Sequence, residues 1–339
     1  MKIKINNNFY DFFDDVVISK SLDKVASTFV FKSRFNPDNK LHQELFKPLS
    51  FNKVEIYDDN DKLLFTGFSI NNTFTSKSVR ELQSISGYSL PGILEDVTIP
   101  TDKYPLEKNN LSLNNIIKQL VGIFGIKHVI DPEVSRDINL IYETTVAQPS
   151  ESIKSYISKL ASQRNIIMSH NTKGELYFFR LNINSRARYF FNETNSLSMS
   201  LSVNGQGLHS NISVIRQPSF DNNDLTPEDK VSNSLVGKYK PYVKVLSSGT
   251  DTDTKKAANN ILAGELKNIS LTIEFDKYIE LDLGDIVEVQ NKEVYLYNRS
   301  RMVVSLITHS VSNESNKTTI GLVIPESFTG ENPKNIFSI

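Results

Sequence analysis

The chain has 339 residues, 39% of them hydrophobic and 23% charged, enough apolar material for two or three cores rather than one. Its 38 basic and 39 acidic residues leave a net charge of −1, which argues against a chain-wide basic surface for gripping phosphates. Cysteine is absent, which excludes disulfides, thiolate metal sites and thiol nucleophiles, and no apolar run is long enough for a membrane-spanning helix.

From the N-terminus the pattern is that of strands. Met1 to Asn6 has no apolar leader region and predicts a first strand, hence synthesis and folding in a cytoplasm. Alternating runs follow at 28–32, 53–57, 63–70 and 81–87, and Asp58 to Lys62 between two of them predicts a hairpin turn. That acidic cluster lacks the glycine and distant glutamate of a calcium loop. Near residue 100 the period changes. Ser112 is placed to cap a helix carrying Leu113, Ile116, Ile117, Leu120, Val121 and Phe124, closed by Gly125. A short strand at 127–130 follows, then a helix from Ser150 and a hairpin with strands at 166–170 and 176–179. Residues 101–184 are therefore expected to form an α/β insert.

Strands return at 197–203 and 209–215. Residues 218–252, rich in Pro, Asn, Asp, Ser and Gly, predict an extended loop, and Thr254 is placed to cap a helix over 254–268. The closing stretch repeats the plan of the opening one, with runs at 270–275, 285–290, 301–307 and 317–324 following the order of the four near the N-terminus. Aligning Val54 with Val287 sets Ile56 against Val289, so the apolar phase agrees as well. The last residues, from Ser327, show no periodicity and predict an arm or disorder.

No catalytic constellation emerges. The five histidines form no metal-ligand pair, the two close glycine pairs (Gly122 with Gly125, Gly205 with Gly207) match no nucleotide loop, and no serine-hydrolase elbow is present. Acidic pairs such as Glu95 with Asp96 or Asp282 with Asp285 leave open a glycosidase whose carboxylates would have to face each other across a cleft. The lack of Trp counts against sugar stacking. No catalytic, cofactor or metal residue is assigned, and the expectation is a non-enzyme.

Several stretches together resemble the baseplate hub proteins of contractile-tailed bacteriophages, the Mu-type tail hub family related to the hub of T-even-like phages. They are residues 16–31, with a Ser-hydrophobic-Asp step before Ala26-Ser27; Leu64 to Asn71; Ser84 to Ser89 followed by Ile93 to Asp96; Glu151 to Phe179; and Gly321 to Pro325. Tyr88 stands where the family has Arg. The resemblance implies an α+β, mainly β chain. It has a first tube-like β-barrel formed by 1–100 plus 185–218, the α/β insert 101–184, and a second barrel in 219–339 preceded by the loop and helix. It further implies a homotrimeric ring in the virion tail baseplate, joining the hexameric tail tube to the trimeric central spike and other baseplate proteins. Phage DNA would pass through without specific binding, and no stable membrane insertion is expected. The hairpins 53–70 and 285–307 are expected to supply the inter-subunit strands, through Val54, Ile56, Leu64, Phe65, Phe68, Val287, Val289, Val303 and Leu306. Two alternatives stay open: a tail-associated cell-wall hydrolase or carbohydrate-binding protein, and the hub of a phage-tail-like bacteriocin or secretion device.

Overall fold

The computed structural model describes residues 1–76, 82–216, 227–246, 254–312 and 315–339. The first unit contains β1 (Lys2–Ile5), β2 (Asn8–Tyr10), β3 (Phe13–Ser21), β4 (Thr28–Ser33), helix α1 (Lys40–Leu45), β5 (Lys53–Tyr57), β6 (Leu63–Thr73), β7 (Gln83–Ser89) and the single turn α2 (Ile93–Asp96). The strands alternate buried and open positions, so one face carries Val16, Ile18, Phe29, Phe31, Val54, Ile56, Phe65 and Ile85 into a core. The turn expected at Asp58 closes with Asp58 N–H donating to the Lys62 carbonyl at 3.0 Å.

The insert follows with β8 (Glu107–Ser112), α3 (Leu113–Val121), β9 (His128–Ile130), the turn α4 (Ser135–Ile138), β10 (Ile141–Val146), α5 (Ile153–Gln163), β11 (Ile167–His170) and β12 (Leu176–Phe179). Ser112 Oγ accepts from Asn115 N–H, as a cap should, and Gly125 takes the left-handed conformation (φ 66°) that ends the segment. Helix α5 begins at Ile153, three residues later than its pattern indicated. Ser152 is the cap: its backbone is extended, its side chain accepts from Ser155 N–H, and Ile153 N–H donates outside the helix to the Val97 carbonyl at 3.0 Å. The apolar faces of α3 and α5 share a core with Leu176 and Phe178.

The remaining elements are β13 (Tyr189–Phe191), β14 (Ser198–Val203), β15 (Asn211–Arg216), β16 (Pro227–Ser232), β17 (Pro241–Leu246), α6 (Thr254–Leu266), β18 (Ile269–Phe275), β19 (Ile286–Asn291), β20 (Leu296–Ser312), β21 (Asn316–Val323) and the turn α7 (Glu326–Thr329). Three expectations are corrected here. Residues 185–218 do not complete the first unit: β13 pairs with β19 and β14 with β18, both in the second unit. Phe191 packs on Phe275 (ring centroids 4.9 Å), and Arg188 reaches Asp285 and Asp282 at 2.7 and 3.1 Å, which fixes that choice. The stretch 218–252 is not all loop, since β16 and β17 flank β15 in a separate sheet; each starts with proline, the strand position that needs no N–H. The loop residues 218–226 and 247–252 lie outside the described residues. The tail is tied down, with Ile336 in the second core and Asn298 Nδ2 donating to the Ser338 carbonyl at 3.0 Å.

The fold is thus α+β and mainly β, and the two ends share one plan. Sheet order β3-β4-β7-β6-β5 in the first unit matches β14-β18-β21-β20-β19 in the second, with every neighbouring pair antiparallel. The match extends to register. Asn71 faces Ser86 and Leu306 faces Gly321, each 235 positions on (306 − 71 and 321 − 86), and the same offset carries Thr73–Ser84 onto Thr308–Thr319. Both long strands bulge at the same place, between Ser69 and Asn71 and between Val304 and Leu306. The helix-bearing insertion lies inside the second unit, between β14 and β18, rather than ahead of it. Among the described residues no pairing closes either unit on itself: the strands form one 13-stranded sheet, joined by β3 pairing with β20.

Val54 and Val287 are fully buried at matching positions. Val54→Asp and Val287→Asp are each expected to cost on the order of 4 kcal/mol through an unpaired buried charge. Denaturant unfolding of the two variants should show comparable losses; one harmless and one unfolding change would contradict the equivalence.

Candidate assembly surface

Of the nine residues expected to form ring strands, seven are core. Val54, Ile56, Leu64 and Phe65 fill the first core, Val287 and Val289 the second, and Val303 a smaller cluster with Leu22, Ile286 and Val323. Phe68 and Leu306 lie half-buried on the opposite face of the sheet, and Leu306 rests on Gly321, where a side chain would collide with it. Within one chain the two hairpins share no strand pairing. Both edges of β5 are taken by β1 and β6, and both edges of β19 by β13 and β20.

The unit-to-unit contact is made instead by β20 and β3. The first half of β20 runs beside β19, from Leu296 to Val303. At that point Val304 N–H donates to the Asp285 carbonyl at 2.9 Å, the strand bulges, and the same edge continues along β3 from Leu306–Ser21 to Ser312–Asp15. A bulge bends a strand and increases its twist, which lets one edge serve two partners in succession. Thr308 and Ser19 sit opposite each other with hydroxyls 3.1 Å apart, and Leu22 N–H extends the joint to the Ser305 carbonyl at 2.8 Å. Ion pairs across the units, Lys62 with Glu280 and Lys267 with Asp23, are exposed and worth little. Sequence alternation could not reveal this joint, although β20 is an unbroken 17-residue strand and its length is the one available signal.

The face away from the cores is hydroxyl-rich. One row crosses eight strands through both units: Ser198, Glu274, Thr319, Thr308, Ser19, Thr28, Tyr88 and Phe68. The next rows add Ser200, Thr272, Ser310, Ser84 and Ser86, with Lys32 held to Asp15 at 2.9 Å. The row runs on from Phe68 to Lys53, which with Lys4 brackets Glu55, and Arg299 faces Glu288, so charge on this face is mixed and paired toward its two margins.

The core side of the joint is titratable. His309 is buried between Ile18 and Thr318 and stacks on Tyr278 (4.7 Å), and burial, reinforced by the Lys20 cation, pulls its pKa down to about 4. His170 of the insert reaches Ser27 and the Lys24 carbonyl, tying the insert to the first unit; burial pulls it to about 4 as well, against the Lys24 hydrogen bond. His128 bonds Asn114 within the insert at 3.1 Å. The acidic pairs have structural partners: Asp282 and Asp285 on Arg188, Glu95 on Lys154 at 3.3 Å, and Asp96 accepting from Tyr88 at 2.5 Å. Among the described residues no cluster of His, Asp or Glu could hold a metal, and no helix is long and apolar enough to cross a membrane.

Comparison with solved structures places this architecture. The 43 kDa tail protein of prophage MuSo2 from Shewanella oneidensis superposes with a TM-score of 0.79 at 16% identity, over 96% of this chain and 98% of that one. The chain has the fold of the Mu-type phage tail proteins. A tail protein from Neisseria meningitidis MC58 gives a TM-score of 0.78 at 18% identity, covering 98% of both chains. An Escherichia coli component of the type VI secretion system, described as structurally similar to T4 bacteriophage tail proteins gp27 and gp5, gives 0.61 at 11% identity, over 99% of this chain and 80% of that one. No protein-family model and no curated protein matches the sequence.

The histidines set a pH dependence for the Mu-type fold. Unfolded, they titrate near pH 6.5; folded, near 4. Between those values the unfolded chain binds more protons, so stability is full above about pH 6.5 and falls as the pH drops toward 4, by on the order of 3 kcal/mol per histidine at most. Denaturant midpoints measured from pH 7 to 4 should fall, and His309→Gln should flatten the slope. An unchanged slope would contradict the assignment.

Proposed function

We propose that this chain is the structural hub of a contractile-tail baseplate, assembled as a homotrimeric ring that joins a hexameric tail tube to a trimeric central spike. The observation that carries the reading is the strand-for-strand duplication within a Mu-type tail fold. Two near-equivalent units in each of three copies offer six similar surfaces to a sixfold partner while the whole object keeps threefold symmetry. The same logic assigns each unit, curled by sheet twist, to one sector of a tube wall. The two tube-like barrels would then arise in the assembly, where neighbouring units supply each other's edges.

The hydroxyl-rich face is the natural lining of such a tube. Small neutral side chains hydrogen-bond water and offer no cluster of cations to DNA phosphates, so DNA would pass without being held. The chain would reside in the virion tail, assembled beforehand in the host cytoplasm, and act mechanically rather than as a catalyst. Likeness to the E. coli type VI secretion component extends the reading to a secretion device or tail-like bacteriocin, which would use the same part.

Co-expression with the tube and spike proteins of the same genome tests the proposal. Three copies of this chain in one particle with both partners are expected. A chain that stays monomeric beside both would overturn the reading.

A further inference from the structure

The joint between β20 and β3 has an unused twin. Positions of β20 correspond to β6 at an offset of 235, as the pairs above establish. Positions of β14 correspond to β3 at an offset of 183: Leu201 faces Leu271 as Ile18 faces Phe29, and 201 − 18 is 183. Leu271 and Phe29 are themselves equivalent, because they face Leu322 and Gly87, which lie 235 apart. The two edges that meet within the chain therefore each have a counterpart: the edge of β6 beyond its bulge, and the outer edge of β14. Among the described residues no strand pairs with either. The approach to the bulge is also reproduced, with Ser69 N–H on the Asn52 carbonyl at 2.9 Å where Val304 N–H meets Asp285.

We propose that residues 71–76 of one copy pair antiparallel with residues 199–204 of a second copy, repeating the internal joint in the same register. Carried through the two offsets, Leu306–Ser21 becomes Asn71–Asn204, Thr308–Ser19 becomes Thr73–Ser202, and His309–Ile18 becomes Phe74–Leu201. The chemistry carries over with the geometry. The Thr–Ser pair whose hydroxyls meet inside the chain recurs as a Thr–Ser pair between copies. On the core side, Phe74 (41% exposed) and Val203 (48% exposed) stand uncovered, while Ile18, the internal counterpart of Leu201, is fully buried by its joint. Pairing would cover both and satisfy the free backbone groups of two sheet edges, an addition of strand to strand. The contact is head to tail, so it propagates from copy to copy and closes when the rotation permits. Since the internal and external joints use equivalent strands, the resulting wall would be one continuous sheet.

The inference rests on the ring reading and adds the seam to it. The chain contains no cysteine, so cysteine pairs report it on a silent background. Thr73→Cys with Ser202→Cys, oxidised in the assembled state, should yield covalent multimers ending in a closed species of the ring's copy number. Either single variant should give none of the higher species, and the displaced pair Thr73→Cys with Ser198→Cys should link far less. Thr308→Cys with Ser19→Cys serves as the internal control and should link within one chain. Native mass measured on the same samples separates the outcomes. Rings without the 73–202 link overturn the seam and leave the ring; monomers at every concentration overturn both.

Discussion

One edge of one strand organises this molecule. β20 gives its first half to β19 and, after a bulge, its second half to β3, so the strand that completes the second unit also binds the first. Backbone hydrogen bonding makes this a demanding arrangement, because every residue handed to β3 is one that β19 must not reach. The bulge at Val304 to Leu306 enforces the division. Everything else about the architecture follows from having two units fastened rigidly edge to edge rather than hung on a linker.

Duplication explains why the fastening has direction. Equivalent units placed side by side leave one donor edge and one acceptor edge over, and these are the surfaces through which further units would add. In the proposed ring, three copies of such a chain would present a nearly sixfold surface without needing six copies. The divergence between its halves is then expected where each meets something different. The first unit carries the α/β insert after its last strand, whereas the second accommodates β15 to β17 and α6 between β14 and β18. The close approaches at Gly67 and Gly87 belong to the first unit alone, since their counterparts are Met302 and Leu322.

Much of the fold was legible in the sequence, because alternation and helical spacing report burial directly. The four strand pairs of the duplication, the Ser112 cap, the Gly125 stop and the turn at Asp58 all stand where local chemistry puts them. Edge partnerships were not legible. Nothing local in Ser198 to Val203 says that its partner is β18 rather than a first-unit strand; Phe191 on Phe275 and Arg188 on Asp285 decide it, and both are long-range. The same limit hid the joint within the chain: Val54, Ile56, Val287 and Val289 are conspicuous in the sequence because they are core, whereas the residues at the joint, Ser19 and Thr308, are small and polar and look like ordinary surface. Composition hid β16 and β17, whose leading prolines mimic loop.

The central claim is that two equivalent units per chain build a symmetric wall. Electron microscopy of the purified protein, classified without imposed symmetry, tests it most directly. The account predicts open-centred particles with threefold symmetry and six similar lobes around the hole. Compact particles with no central opening, at concentrations where the protein is fully associated, would contradict it.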